Sequence, residues 1–353
     1  MNNFRLATAR SNDSRIHQKI DSLLQQENIK KDKNLDYTCY MINDNYDVVA
    51  TGSLFGNTLR CLAVSSQYQG EGLLNQIVTH LISTQYERGN THLFVYTKID
   101  SAKFFESLGF YTITKVDEQL VFMENKRTGF SDYLFQLKQE TPIQYLKNKK
   151  RNAAIVMNAN PFTLGHLYLL ETASKANDCL HLFIVSEDSS LVPFDIRKKL
   201  ILEGSQHLTN IVYHDSGSYI ISSATFPSYF QKDEESIIKG HALLDLSIFK
   251  HISETLSINV RYVGNEPTSF VTNLYNQIMA TELPKANIDC IIIDRKEINN
   301  RAISASIVRQ AIKDNHFELL QQLVPQSTYD FFMSDEAKPI IERIQKEDSV
   351  VHY

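Results

Sequence analysis

No apolar stretch in this 353-residue sequence approaches the ~20 residues a membrane-spanning helix needs. Met1-Asn2-Asn3-Phe4-Arg5 carries no apolar signal region. Cysteine is scarce, and Cys39, Cys61, Cys179 and Cys290 form no C-x-x-C pair. That spacing disfavours a zinc cage or a dithiol redox centre, and a reduced, cytoplasmic setting is expected. Cys61, Cys179 and Cys290 lie in or beside apolar runs, where a thiol acts as a small hydrophobe. The net charge is only −5, so no whole-chain field draws nucleic acid or acidic lipid, and neither is expected as a partner. There is no internal repeat and no low-complexity tract. What remains is globular: 42% apolar, 22% charged, and long enough for two domains.

The first part reads as a helix followed by a sheet. Ile16, Ile20, Leu23 and Leu24 recur at helical spacing, and Tyr37–Ile42, Val48–Leu54 and Thr58–Val64 are β-prone runs broken by Asn, Asp and Gly. Leu73–Arg88 is a helical pattern closed by Gly89 and Asn90. A strand at His92–Tyr96, a helix at Ser101–Ser107 and strands near Phe110–Thr114 and Leu120–Glu124 follow. The polar segment Thr128–Asn152, basic at Lys147, Lys149, Lys150 and Arg151, reads as a helical linker with a solvated charged face. From Ala153 the pattern changes. Ala153–Met157, Leu180–Val185, Ile211–Tyr213, Val260–Val263 and Cys290–Ile293 are brief, nearly all-apolar runs, suited to strands buried on both faces of a parallel sheet. Helical patterns separate them at His166–Lys175, Asp195–Leu202, Glu235–Leu256 and Phe270–Met279, and short helices are expected after Pro325. This alternation predicts a doubly wound α/β domain with its ligand site at the carboxyl ends of the strands. The expected domains are residues 1–127, a linker over 128–151, and residues 152–353.

Two segments carry the chemistry. Asn160-Pro161-Phe162-Thr163-Leu164-Gly165-His166 follows the first apolar strand and opens a helix. A helix N-terminus offers free amides and a positive dipole end to phosphate, and Gly165 permits close backbone approach. Thr163 and His166, three apart, converge on the first turn, where hydroxyl and imidazole can hold an α-phosphate. Preorganised donors of this kind are worth ~2.7–4 kcal/mol each in a transition state. Far downstream, Ile303-Ser304-Ala305-Ser306-Ile307-Val308-Arg309 places two serines at a helix start and an arginine one turn inside, suited to clamping β- and γ-phosphates. Plainer explanations stand beside these: Thr163, Ser304 and Ser306 as helix caps, and His166 as a surface residue. Arg197 reaches either a phosphate or a helix-surface partner such as Asp195 or Glu203. Glu187 and Asp188 are loop carboxylates at the site end of the sheet. Gly264, Asn265 and Glu266 follow a strand and are candidates for lining an adenosine pocket.

The two segments resemble the T/HxGH and ISxSxxR signatures of the nucleotidyltransferase superfamily, in order and in the right local context. Longer strings narrow this. Val156-Met157-Asn158-Ala159-Asn160-Pro161-Phe162-Thr163, His181–Ser190, Tyr219–Pro227 and Val263-Gly264-Asn265-Glu266-Pro267 are similar to the citrate (pro-3S)-lyase ligase family, a resemblance covering essentially the whole chain. It implies an enzyme that spends ATP, with Mg2+, to place acetate on the dephospho-CoA-derived thiol of the citrate lyase acyl carrier (gamma) subunit. The route is an acetyl-adenylate, with AMP and diphosphate as products. It further implies Thr163 and His166 at the α-phosphate, and Ser304, Ser306 and Arg309 at the diphosphate. Asn158, Asn160, Phe162, Gly165, Gly264, Glu266 and Arg197 are expected around the nucleotide. One departure stands out: many adenylyltransferases of the superfamily carry Asp before this Pro, and Asn160 lacks that charge.

Gln67-Tyr68-Gln69-Gly70-Glu71-Gly72 feeds a helix after a strand, and Lys103-Phe104-Phe105-Glu106-Ser107-Leu108-Gly109-Phe110 follows it. Together they resemble the Q/RxxGxG/A loop and closing helix–turn–strand of GCN5-related N-acetyltransferases (GNAT), a fold that binds the diphosphate and pantetheine of acetyl-CoA. The expected architecture is therefore a GNAT-like α/β domain followed by a Rossmann-like doubly wound nucleotidyltransferase domain. Gln67, Gly70 and Gly72 are expected at the carrier's CoA-like group, the alternative being a scaffold without ligand. Two other functions stay open: an adenylyltransferase acting on a phosphate monoester, and a nucleotide or acetyl-CoA sensor without turnover.

Overall fold

The computed structural model describes residues 3–32, 35–116, 120–146, 150–186, 190–220, 234–265, 270–298 and 301–350. The chain forms two compact units, Met1–Phe130 with Phe226–Leu244, and Ser131–Thr225 with Asp245–Tyr353.

The first unit runs β1 (Arg5–Thr8), α1 (Ser14–Gln26), β2 (Tyr37–Ile42), β3 (Val48–Phe55), β4 (Thr58–Val64), α2 (Leu73–Glu87), β5 (Phe94–Thr97), α3 (Ile99–Ser107), β6 (Tyr111–Val116) and β7 (Leu120–Glu124). Asp13 caps α1 by accepting from Ile16 N at 3.1 Å, and the helix buries Ile20, Leu23 and Leu24. The strands form one sheet in the order β1-β2-β3-β4-β5-β7-β6. α2 lays Leu73, Ile77, Val78 and Leu81 on this sheet. Gly52 in β3 permits that approach, because a Cβ there would lie 2.5 Å from Ile77 and 2.9 Å from Leu81. β4 and β5 are parallel and pair only at Thr58–Phe94 and Leu59–Val95, so beyond those residues the sheet opens. The mixed sheet, the parted parallel pair and the glycine loop entering α2 are those of a GNAT fold.

Next comes α4 (Gly129–Glu140), within the segment expected as a helical linker. The second unit continues with β8 (Asn152–Met157), α5 (Leu164–Ala176), β9 (Cys179–Ile184), α6 (Phe194–Ser205), β10 (Ile211–Asp215), the part of α7 (Glu234–Leu256) from Asp245 onward, the rest of α7 belonging to the first unit, β11 (Val260–Gly264), α8 (Phe270–Glu282) and β12 (Asp289–Ile293). A small hairpin, β13 (Glu297–Ile298) with β14 (Arg301–Ala302), leads into α9 (Ala305–Lys313), α10 (Leu320–Leu323), α11 (Gln326–Phe332) and α12 (Lys338–Lys346). The sheet is wholly parallel in the order β10-β9-β8-β11-β12, the doubly wound arrangement expected. Burial on both faces holds for β8 and β9, but the edge strands β10 and β12 are partly exposed. Cys290 is accordingly only half-buried, whereas Cys39, Cys61 and Cys179 are buried and burial pushes each thiol up to about 12. Among the described residues no helix is long and apolar enough to cross a membrane.

A polar chain runs through this second core. His181, fully buried in β9, has Nδ1 3.0 Å from His214 Nε2, and His214 Nδ1 lies 2.7 Å from Glu140 Oε2. Burial, then the neighbouring His214, pushes the His181 pKa from 6.5 to about 3. The bond to His214 holds the Glu140 carboxyl below the usual carboxylate range. Both folded-state values are depressed, so the unfolded chain takes up more protons as pH falls, and stability is lost below about 6.5. The melting temperature should fall from pH 7 to about 4.5, and His181→Asn should lower it at pH 7 while flattening that decline. Parallel pH profiles for the two proteins in thermal melts would exclude His181 as the source.

Candidate active site

β8 and β11 are neighbours but pair only at Ala153–Val260 and Ala154–Arg261. Past those residues they part, which is where strand order reverses and where doubly wound sheets bind ligands. A cavity of about 490 Å3 opens there, within the usual range of small-molecule sites. Its wall takes the end of β8, the amino ends of α5 and α9, and the carboxyl ends of β11 and β12.

The loop after β8 is held by unusual backbone. Ala159 has φ of 50°, a left-handed conformation costly for a residue with a Cβ, and such strain collects at functional sites. Thr163 then caps α5 in a reciprocal box: its Oγ1 accepts from His166 N at 3.3 Å, and His166 Nδ1 accepts from Thr163 N at 3.1 Å. Because Nδ1 receives a backbone N–H, the ring proton sits on Nε2. Burial, then the charges of Arg295 and Arg309, pushes the His166 pKa down to about 4. At neutral pH the cavity therefore holds an uncharged imidazole with a fixed tautomer. The capping explanation of Thr163 is correct, while His166 lines the cavity and is no surface residue.

Three residues expected at the ligand take other work. Arg197 is fully buried: its Nε donates to Val192 O, and one terminal nitrogen donates to Asn158 O, Asn158 Oδ1 and Val185 O at 2.8–2.9 Å. It ties the loop after β8 to the end of β9, so neither the phosphate role nor a surface pair with Asp195 or Glu203 applies. Phe162 is likewise fully buried and stacks under His166, ring centroids 6.0 Å apart and planes within 11°. It backs the imidazole from the core and does not face the cavity. Arg309 lines the cavity but is only 2% exposed. Its Nε donates to Val350 O at 2.8 Å and a terminal nitrogen to Asn160 O at 2.5 Å, so tying the loop to the segment at Val350 takes two of its donor groups.

Asn160 joins this brace through its carbonyl, and its Oδ1 accepts from Val192 N at 3.0 Å. That bond fixes the amide orientation. Asn160 Nδ2 is left buried with no acceptor among the described residues, although Asn160 lines the cavity. Such a donor is costly unless a ligand answers it. Asn158 also borders the cavity, its Nδ2 donating to Ser190 Oγ at 3.0 Å.

The two signature segments touch. A Cβ on Gly165 would lie 3.0 Å from Ile303 O, so glycine here lets the downstream segment close on α5. Ser304 caps α9 by accepting from Ile307 N at 3.3 Å, and its Oγ lies 2.9 Å from Ser306 Oγ. Gly264 borders the same cavity, with nothing within 4 Å of the position a Cβ would take. Glu187, Asp188 and Glu266 lie outside the described residues. Sequence reasoning missed Asp294 and Arg295, which also line the cavity. The signal was present, since they directly follow a predicted strand at the ligand end of the sheet.

The first unit has its own cavity, of about 570 Å3, where β4 and β5 part. Gly70 and Gly72 line it with φ of 90° and 73°, so the loop needs glycine for its conformation rather than for space. Gln67 sits exposed in the Ser66–Tyr68 turn and is not part of the wall; Gln69 is.

Fold and site together define a Rossmann-like nucleotidyltransferase unit joined to a GNAT-fold unit. A profile described as the citrate lyase ligase C-terminal domain matches residues 152–332. The citrate (pro-3S)-lyase ligase of Haemophilus influenzae is 38% identical over 319 residues, which cover 88% of this chain and 93% of that protein. The one from Escherichia coli is 37% identical over 321 residues, 89% of this chain and 90% of its own length. A solved acetyltransferase of the GNAT family from Staphylococcus aureus aligns with 35% of this chain and all of its own, at 17% identity and a TM-score of 0.30. This chain belongs to the citrate lyase ligase family, a family of enzymes.

Gly165→Ala should force Ile303 and α5 apart by a few tenths of an ångström. Nucleotide affinity should drop about tenfold by calorimetry, while the melting temperature changes little. Unaltered nucleotide affinity would mean that contact between the segments does not shape the site.

Proposed function

We propose that this enzyme uses ATP to acetylate the CoA-like thiol of the citrate lyase acyl carrier, through acetyl-adenylate. The observation that carries this reading is the neutral His166, held by Thr163 N with its Nε2 proton available, in a cavity bordered by Arg295, Arg309 and two helix amino ends. In the first step an acetate oxygen attacks the α-phosphorus of ATP and the bond to diphosphate breaks. His166 Nε2–H and the first amides of α5 would donate to the α-phosphate oxygens as negative charge gathers there. His166 stays neutral throughout, so its task is donation, not proton removal, and acetate needs no base. Ser304 and Ser306 at the start of α9 would receive the departing diphosphate. The Asn160 amide would donate to an anionic oxygen; an aspartate there would repel it. Mg2+, held by substrate phosphates and by Asp294, the acidic side chain among the described residues of the cavity wall, would offset their charge.

In the second step the carrier thiolate attacks the acetyl carbonyl and AMP leaves. A thiol of pKa near 8.5 needs little activation. The cavity of the first unit, with its glycine loop at the amino end of α2, suits a diphosphate-linked pantetheine arm, and we assign the carrier's prosthetic group to it.

ATP–diphosphate exchange, run with acetate, phosphopantetheine and nicotinamide mononucleotide separately, tests the first step. Acetate alone should support exchange. His166→Ala should cut it about 100- to 1,000-fold while calorimetry still shows ATP bound. Exchange with a phosphate monoester would move the enzyme to the cofactor-making adenylyltransferases. No exchange with any acceptor would favour a sensor. Gly72→Val should raise the carrier's KM and spare acetate-dependent exchange, whereas Gln67→Ala should change neither; unchanged carrier kinetics in Gly72→Val would remove the first unit from substrate binding.

A further inference from the structure

On the wall of the second unit's cavity, Asn160 Nδ2 is a buried donor with no acceptor among the described residues. The residue is only 2% exposed, so an unanswered donor there is costly. Its orientation is fixed on two sides. Oδ1 accepts from Val192 N at 3.0 Å, and the main-chain oxygen accepts from a terminal nitrogen of Arg309 at 2.5 Å. An amide whose oxygen is taken by a backbone N–H has only N–H left to offer a ligand. Asn160 therefore calls for an oxygen that carries no proton. An aspartate holding the same bond from Val192 N would offer a charged acceptor and call for the reverse.

Two anions of the proposed reaction could answer this donor, a phosphate of ATP and the carboxylate that attacks it. The phosphates have donors at the helix starts: the first amides of α5, His166, Ser304 and Ser306. Asn160 belongs to neither helix start. It lies four residues before Leu164, the first residue of α5. Pro161 after it has no N–H, and Thr163 N is taken by His166 Nδ1. The residues just before it are largely apolar instead, and Val156, Met157 and Ala159 line the same cavity. One fixed polar donor among apolar side chains matches a short acid with one charged and one apolar end.

We infer that Asn160 selects the acceptor: its Nδ2 donates to one carboxylate oxygen of a small monocarboxylate and leaves the other oxygen free to attack. This deepens the adenylating function proposed above and rests on it. A guanidinium in the same place would grip the acid harder, but it would also draw charge from the attacking oxygen, and tighter ground-state binding alone does not speed the step. A neutral amide orients the acid and leaves it nucleophilic. The free oxygen forms a bond to the α-phosphorus, the bond from phosphorus to diphosphate breaks, and its electron pair leaves with the diphosphate. No proton moves. The oxygen held by Asn160 becomes the carbonyl oxygen of the acyl-adenylate.

The test uses the full-length chain in acetate-dependent ATP–diphosphate exchange, comparing the wild type with Asn160→Asp and Asn160→Ser. Asn160→Asp keeps an oxygen for Val192 N but replaces the donor by a charge. It should raise the KM for acetate about 100-fold and that for ATP less than about threefold. Asn160→Ser loses the donor without adding a charge, and should raise the KM for acetate about tenfold, again sparing ATP. The serine variant also serves if the buried carboxylate prevents folding. A merely structural role predicts another pattern: Asn160→Ser, which gives up the bond from Val192 N, would be the worse variant and would raise both constants together. That pattern, or a KM for acetate unchanged in both variants, would overturn the assignment. Saturation-transfer NMR on the acetate methyl group reads binding without turnover, and the signal should be present with the wild type and lost with Asn160→Asp. Acetate binding that depends on Asn160, with no exchange, would sink the proposed reaction and leave the contact. Acetate-dependent exchange that is indifferent to both substitutions would do the opposite.

Discussion

Everything in the second unit depends on two central parallel strands that pair at their amino ends and then separate. β8 and β11 share only two registered pairs. A parallel sheet that stays closed satisfies its own backbone; one that opens leaves carbonyls and amides at its core without sheet partners. Buried arginines hold the chain where β8 and β9 end. Arg197 takes the carbonyls of Asn158 and Val185, and Arg309 takes that of Asn160. Each brings in a charge whose burial is tolerable only because those carbonyls surround it. The open crevice is thus held apart by polar bonds rather than by packing alone, and its walls can be polar without collapsing.

The same charges set the chemistry of the imidazole. A half-buried histidine near two guanidinium groups resists taking up a proton, and the pKa of about 4 expresses this. Its reciprocal bonds with Thr163 fix which nitrogen is protonated. The site thereby presents positive potential from arginines and helix ends, plus neutral donors at defined atoms, among them the imidazole Nε2 and Asn160 Nδ2. That combination suits an anionic substrate meeting an anionic acceptor: the field lessens their repulsion, and the neutral donors add direction without acting as acids.

A similar opening recurs in the first unit, where β4 and β5 pair at two positions and then diverge. There the crevice is bordered by more apolar side chains, among them Leu62, Val64 and Phe104, and by a glycine loop at the start of α2. The two crevices differ in lining, one apolar with a backbone cradle and the other polar with cations. The pantetheine arm and the triphosphate proposed for them differ in the same way.

Much of this was legible in the chain. Short all-apolar runs alternating with helical periods marked the doubly wound sheet, because a strand buried on both faces has no polar position to show. The cap pattern around Thr163 and the serines of Ser304-Ala305-Ser306 marked helix starts, because capping is a local bond between residues two or three apart. What could not be read was the fate of side chains whose partners lie far along the sequence. Arg197, Arg309 and Phe162 carry the types expected of ligand contacts, and only the tertiary packing shows their commitment to backbone carbonyls and core. Arg295 carries no motif, and the parting of β8 from β11 together with the β13–β14 closure brings it to the cavity. The sequence by itself determined periodicity, caps and the residue types at strand ends, since these are matters of neighbours. The tertiary structure alone decided which charges face the ligand and which are spent inside the protein, since that depends on carbonyls freed where two distant strands separate.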